Sequence, residues 1–173
     1  EPVRRHRGLR NLTASIDLAK AEFPLASKVM LAGSSAGGVG AAGFAPGVFR
    51  FVFGNFPQLF VFNDAGPVAI NLDETAAIEI RAQDWQFGQF YPASCTDCDA
   101  EGDPTAAIHW RLANDSGVKE SFYSTDGDAT NSFFLNVATQ EAYREILLAG
   151  HDPLHDAYPD RYKRFIRSGD DSH

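Results

Sequence analysis

The first part of the chain carries an apolar pattern that predicts a helix followed by a buried strand. Over residues 3–23, apolar side chains recur every three or four positions, as in an amphipathic helix with one buried face: Leu9, Leu12, Ile16, Ala19 and Phe23. Pro24 ends this predicted helix. Residues 28–32 form a short apolar run leading into Gly33, a pattern typical of a buried parallel strand.

Small residues dominate positions 33–43 and predict a tight turn that enters a closely packed helix. Pro46 interrupts or restarts that helix. Residues 59–62 are again apolar and predict a second buried strand, which ends at Asn63 and Asp64 before a turn.

The second part of the chain continues the alternation of helices and strands. Asp103 and Pro104 are typical of a helix start, and residues 118–123 predict a third strand. A helix is predicted over residues 139–148, capped by Thr139 and stopped by Gly150, before a last short strand or turn over residues 162–167. Strands alternating with helices predict an α/β fold with a mostly parallel sheet flanked by helices.

Composition and charge narrow the possible partners. The chain has 173 residues, of which 44% are hydrophobic and 22% charged, as in an ordinary globular domain. Its formal net charge of −8 argues against nucleic acid and anionic membranes, because both require a basic face. No run of 18 apolar residues occurs, so no transmembrane segment is predicted.

The two cysteines, Cys95 and Cys98, have three possible roles. A zinc half-site lacks a second ligand pair at matching spacing, and a redox pair should open a helix, whereas both flanks here are typical of loops. A short structural disulfide is the favoured interpretation, ahead of free thiols, and it would imply an oxidising compartment.

The pattern Gly33-x-Ser35-x-Gly37 is the strongest chemical signal. A serine hydroxyl is a weak nucleophile that needs an exposed position, a nearby base and donors for the oxyanion. A strand that turns sharply into a helix supplies the exposure, and glycines two positions to either side allow the turn. The N–H of Ala36 would then face the developing negative charge.

Two other interpretations of this pattern compete with a nucleophilic serine. One is a purely structural turn. The other is a phosphate-binding loop, for which the chain lacks the usual Gly-Lys-Ser/Thr.

A hydrolase of this kind places an acid and then a histidine after the serine. The acid candidates are Asp64, Asp126 and Asp128. His173 lies in a polar loop after the last predicted strand, which is the usual place for the catalytic base. An Asp-x-Asp pair also occurs in calcium loops, but the rest of such a loop is missing here.

The other histidines are expected to have no catalytic role. His6 is predicted to be solvated, and His109 to be structural. His151 and His155 have a spacing that could bind a metal on a helix, but Pro153 between them predicts a surface turn instead.

Four blocks of the sequence, in serial order, carry a family resemblance: Gly33-Ser34-Ser35-Ala36-Gly37-Gly38, Asp64-Ala65-Gly66, Tyr123-Ser124-Thr125-Asp126-Gly127-Asp128, and residues 164–173. Together they resemble the pectin acetylesterase/Notum family, in particular its bacterial esterase-like members. The resemblance implies an α/β-hydrolase-type fold and a triad of Ser35, Asp128 and His173, with Ala36 in the oxyanion hole. It also implies a loop disulfide and an exported enzyme, secreted or periplasmic.

The resemblance further implies a carboxylic ester hydrolase without metal or organic cofactor, whose substrate is a small-molecule or polysaccharide ester. Other serine hydrolases, of polyester depolymerase or feruloyl esterase type, are alternatives, as is a non-catalytic α/β binding domain. Members of the family carry a Gly-Gly segment on an earlier strand. Residues 1–173 are therefore expected to be one α/β-hydrolase-type domain that lacks its early strands and closing helix, with poor activity and stability alone.

Overall fold

The computed structural model of the chain describes residues 7–66, 88, 91–98 and 104–169. Helices and strands alternate along these residues in the following order: α1 (Gly8–Glu22), β1 (Lys28–Ser34), α2 (Ala36–Gly43), α3 (Ala45–Phe53), β2 (Gln58–Asp64), α4 (Pro104–Asn114), β3 (Val118–Thr125), α5 (Ala129–Phe134), α6 (Gln140–Ala157) and β4 (Tyr162–Arg167).

Within the described ranges, the strands form one four-stranded parallel sheet in the order β1-β2-β3-β4. A parallel pair requires a crossover connection, and helices lie in each crossover here. The register pairs Ser34 with Asp64 and Asp64 with Tyr123, so that β1 and β2 end side by side while β3 continues to Thr125. The predicted α/β fold with a parallel sheet flanked by helices is confirmed.

The helices cover one face of this sheet. Leu59, Val61 and Val118 lie on that face and are almost fully buried against side chains from the helices: Ile16, Phe49, Ile108, Leu112 and Leu147. Removing this apolar surface from water contributes about 25 cal/mol per Å². The opposite face carries the exposed side chains of Met30, Phe62 and Phe165.

A buried ion pair joins three of these elements. Arg111 on α4 donates two hydrogen bonds to Glu120 on β3, at 2.6 and 2.9 Å, and a third to the carbonyl of Ala42 on α2. Buried charges are tolerated when they are paired and hydrogen-bonded in this way.

Helix α6 differs from its prediction. It runs through Gly150 and Pro153 to Ala157, so the predicted stop at Gly150 is wrong. Leu147, His151 and Leu154 share the buried side of the helix, and this packing outweighs the hydrogen bond that Pro153 cannot donate.

His151 therefore does not lie in a surface turn. It is fully buried, its Nδ1 lies 2.6 Å from Oη of Tyr162, and its ring stacks on Phe122 with centroids 3.8 Å apart. Burial, assisted by the positive charge of Arg164, lowers the pKa of His151 to about 3. His155 is half-buried on the same helix, with Nδ1 3.0 Å from the carbonyl oxygen of Tyr162.

The cysteines form the favoured structural disulfide, Cys95–Cys98. Both are buried in a small cluster with Ala107 of α4, against which Tyr91 and Trp110 also pack. The loop that the disulfide closes therefore packs against α4 through its buried cysteines.

Among the helices described, none is by itself long and apolar enough to cross a membrane; α2 and α3 satisfy that test only as a pair bent by 44°.

Candidate active site

Ser35 lies at the junction of β1 and α2 in a backbone conformation that few non-glycine residues adopt. Its φ of 55° and ψ of −124° fall outside even the small left-handed helical region open to such residues. A conformation of this kind costs roughly 1–3 kcal/mol and persists only when the surrounding structure enforces it. Such strain is concentrated at active sites, and a strained strand-to-helix turn is typical of an exposed nucleophilic serine.

Close packing of two glycines enforces the turn. A Cβ at Gly33 would overlap the backbone of Gly37 in the first turn of α2, and a Cβ at Gly38 would overlap Gly66 and the Asn63 side chain. Gly37, by contrast, has open space around its Cβ position. The expectation that both Gly33 and Gly37 permit the turn is therefore correct only for Gly33, and Gly38 makes the second close approach.

The helix that begins after Ser35 directs its amino end toward the site. Ala36 is the first residue of α2 and is exposed. The first N–H groups of a helix have no intrahelical acceptor, and the helix dipole gives this end a partial positive charge. The N–H of Ala36 is thus suited to bind a negatively charged oxygen next to Ser35.

The end of β2 supports this turn from the side. The backbone N–H of Ser35 donates to the carbonyl of Asp64 at 2.8 Å. Ala65 has a positive φ of 51°, and Asn63 closes the turn with two hydrogen bonds to the backbone of Gly66, at 2.8 and 3.1 Å. A second constrained turn therefore lies next to the serine.

Asp128 lies just beyond the end of β3 and has no exposed surface. It caps α5, since its Oδ1 accepts from the backbone N–H of Asn131 at 2.9 Å, and its Oδ2 accepts from the Asn131 side-chain amide at 2.8 Å. Burial raises the pKa of Tyr143 to about 12, and the negative charge of Asp128 adds to that rise.

Asn131 connects the turn after β2 with Asp128. Its side-chain amide donates both to Asp128 and to the carbonyl of Ala65, the latter at 2.8 Å. Neither this residue nor α5 was predicted from the sequence. Asp128 precedes Asn131 by three positions, a spacing close to that of a helix-capping pattern. This spacing could have predicted the start of α5.

Asp126 and Asp64 have different surroundings. Asp126 is buried and forms an ion pair with Arg144 at 2.8 Å. Burial raises its pKa, but hydrogen bonds from Gln140, the Gly169 N–H and Arg144 outweigh that effect and hold the pKa below its usual value. Asp64 is half-buried next to Ser34, on the side of the sheet away from the helices.

The predicted base, His173, lies outside the described residues, as does His6. His109 is exposed on α4 and contacts Tyr158, its Nε2 lying 3.4 Å from the tyrosine Oη. Over the described parts of the chain, no group of three or more His, Cys, Asp or Glu residues is arranged to hold a metal ion.

Comparisons with protein-family models, curated proteins and solved structures found no match to this chain.

The geometry brings the candidate groups to one edge of the sheet. Ser35, Ala36 and Asp128 all follow the carboxyl ends of parallel strands, which is where ligands bind in open α/β sheets. Ser35 and Asp128 are separated by one intervening strand, and Asn131 spans its end. The arrangement can present the Ser35 hydroxyl and the amino end of α2 to a ligand, while the Asp128 carboxylate lies buried at the same edge of the sheet.

Proposed function

We propose that this chain is a serine carboxylic ester hydrolase that acts through an acyl-enzyme. The observation that carries the proposal is the strained backbone of Ser35 between β1 and α2. A glycine would adopt this conformation without strain. Serine at this position therefore has a conformational cost that glycine would not have. A purely structural turn would not require the hydroxyl, so we infer that the hydroxyl has a function.

In the proposed reaction, Ser35 attacks the ester carbonyl while His173 takes its proton. The alcohol leaves with a proton returned by His173, and water then attacks the acyl-enzyme with His173 as base. Asp128 orients His173 and stabilises its positive charge. The order of these residues along the chain, serine then acid then histidine, is that of α/β-hydrolases.

Ala36 supplies one donor for the oxyanion in this proposal. Its position at the amino end of α2 supports the role, because the helix dipole adds to the attraction. The family resemblance implies a second donor on an earlier strand.

For the substrate, we infer an acetylated polysaccharide or a related ester, as the resemblance to the pectin acetylesterase/Notum family implies. An exported enzyme, secreted or periplasmic, agrees with the disulfide between Cys95 and Cys98, since disulfides persist in oxidising compartments. Esters of increasing acyl chain length would separate an acetylesterase from the polyester depolymerase and feruloyl esterase alternatives.

The test compares Ser35→Ala with Ser34→Ala in the full-length protein. Ser34 is the adjacent serine, exposed at the end of β1, and serves as the matched control. Hydrolysis of p-nitrophenyl acetate should fall by at least about 10³-fold in Ser35→Ala and remain within about threefold of wild type in Ser34→Ala. Retained turnover in Ser35→Ala would refute the assignment of Ser35 as the nucleophile, and an absence of turnover in the wild-type protein would leave the non-catalytic binding domain as the better interpretation.

A further inference from the structure

We propose that Asp126 is a positioning residue, which tethers the segment leaving β4 next to the loop that carries Asp128. This inference rests on the proposed function, because the tethered segment leads to His173. It gives Asp126 a role distinct from that of the catalytic acid.

The contacts of Asp126 join three parts of the fold. Oδ1 accepts from the backbone N–H of Gly169 at 3.1 Å and from the side-chain amide of Gln140 at 2.6 Å. Oδ2 accepts from Arg144 at 2.8 Å, and the Asp126 backbone N–H donates to the carbonyl of Arg167 at 2.9 Å. The end of β3, the start of α6 and the exit from β4 therefore meet at one carboxylate.

Because the Asp126 carboxylate is buried, loss of its hydrogen-bond donors would have a large free-energy cost. The Asp126 side chain is only 2% exposed, whereas Arg144 is 44% exposed. A buried carboxylate is retained when its hydrogen bonds are made, and hydrogen bonds to a charged acceptor are stronger than those to a neutral one. The negative charge thus holds the Gly169 N–H more firmly than a neutral side chain would.

The tether holds the point from which the chain continues toward His173. His173 follows Gly169 by four residues, and four extended residues span at most about 14 Å. From Arg167, the last residue of β4, the same limit is about 21 Å for six residues. Asp126 is two residues before Asp128. Its hydrogen bond with Gly169 therefore keeps the start of the segment that leads to His173 close to the proposed acid.

The same contacts argue against Asp126 as the catalytic acid. Its charge is compensated by Arg144, and its oxygens already bind donors from α6 and from the β4 exit. An arginine paired with a carboxylate offsets part of the negative charge that would otherwise stabilise an imidazolium. The contacts of Asp128 with Asn131 are of another kind, because both donors there are neutral amides.

Loss of the tether should change catalysis in a way that loss of stability alone does not. In Asp126→Asn, kcat for p-nitrophenyl acetate should fall about 10–100-fold, because a small displacement of a catalytic group has an effect of this size. The acidic limb of the kcat/KM profile should also move to lower pH, since a histidine farther from Asp128 has a lower pKa.

Two variants serve as controls. Asp115→Asn removes a comparable ion pair, with Arg50 at 2.6 Å, at the opposite end of β3. Arg144→Gln removes the ion pair of Asp126 but keeps the carboxylate that accepts from Gly169. Both controls should lose some stability while keeping the wild-type pH profile and a kcat within about threefold of wild type.

The experiment measures pH profiles for the four proteins together with hydrogen exchange of the Gly169 amide. Faster exchange at Gly169 and a shifted profile in Asp126→Asn alone would support the tether. Unchanged exchange, or a wild-type kcat and profile in a folded Asp126→Asn protein, would overturn it. If Asp126→Asn does not fold, Arg144→Gln provides the test instead. Faster exchange of the Gly169 amide in Arg144→Gln, with kcat and the pH profile unchanged, would also overturn the proposal. Failure of the proposed function is distinct, since the wild-type protein would then show no turnover or Ser35→Ala would retain it.

Discussion

At the scale of single residues, the clearest feature is that a serine occupies a conformation suited to glycine. The pattern around Ser35 could be found in the sequence, because the flanking glycines and the preceding apolar run are local signals. A strained turn is part of that prediction, whereas the close approach of Gly38 to Asn63 and Gly66 could not be predicted, since these residues come from the end of another strand. The residue pattern alone leaves three acid candidates, and the family resemblance favours Asp128; their different partners in the structure now distinguish them.

Substitution of the candidate acids tests this distinction. Asp128→Asn should lower kcat about 10³–10⁴-fold, because an amide cannot hold the catalytic histidine in the required tautomer or stabilise its charge. Asp64→Asn should stay within about threefold of wild type, since the half-buried Asp64 side chain lies on the side of the sheet away from the helices, whereas Asp128 is fully buried. Steady-state hydrolysis of p-nitrophenyl acetate measures both. A larger loss in Asp64→Asn than in Asp128→Asn would reassign the acid.

At the scale of elements, the strands and most helices could be predicted from local pattern. Short apolar runs identified β1 and β2, and Pro46 correctly marked the start of a new helix, α3. Helix α5 was missed because its six residues are too few to establish a period. The end of α6 was misplaced because tertiary packing of His151 and Leu154 overrides the local effects of Gly150 and Pro153.

The junction of β1 with α2 gives a prediction at this scale. Gly33→Ala should destabilise the protein by several kcal/mol, because the added Cβ meets backbone atoms of Gly37 that cannot move without shifting α2. Gly37→Ala should change stability by less than about 0.5 kcal/mol, because space is open there. Urea unfolding monitored by circular dichroism measures the difference. Equal losses in the two variants would contradict the packing described for this junction.

At the scale of the whole molecule, the described residues form one layer of helices over one parallel sheet, with the candidate groups gathered at its carboxyl edge. The alternation of strands and helices predicted the parallel sheet, whereas the strand order β1-β2-β3-β4 is a finding of the structure that agrees with the usual adjacency of consecutive strands. Asn131 and the tether at Asp126 could not be found in the same way, since their partners Ala65 and Gly169 are distant in sequence.

Global stability should depend on pH through His151. Its pKa is near 6.5 when unfolded and about 3 when folded, so the unfolded state binds the proton more readily. Stability is therefore fully present above pH 6.5 and is lost as the pH falls toward 3. Between pH 7 and pH 5 the loss from this group is about 2 kcal/mol.

Urea unfolding of wild type and His151→Phe at pH 7 and pH 5 measures that contribution. The variant retains an aromatic ring next to Phe122 but cannot titrate, so its stability should fall about 2 kcal/mol less than that of wild type over this interval. An equal fall in both proteins would show that His151 is not buried in its neutral form.

Labelling with a fluorophosphonate probe tests the central claim most directly, because such probes react only with an activated serine. The full-length protein should gain one covalent adduct at pH 7–8, and peptide mass spectrometry should locate it on Ser35. Ser35→Ala should take no label, while Ser34→Ala should label at the wild-type rate. An absence of label on Ser35 in the folded protein, or a label that persists in Ser35→Ala, would contradict the assignment of Ser35 as the nucleophile.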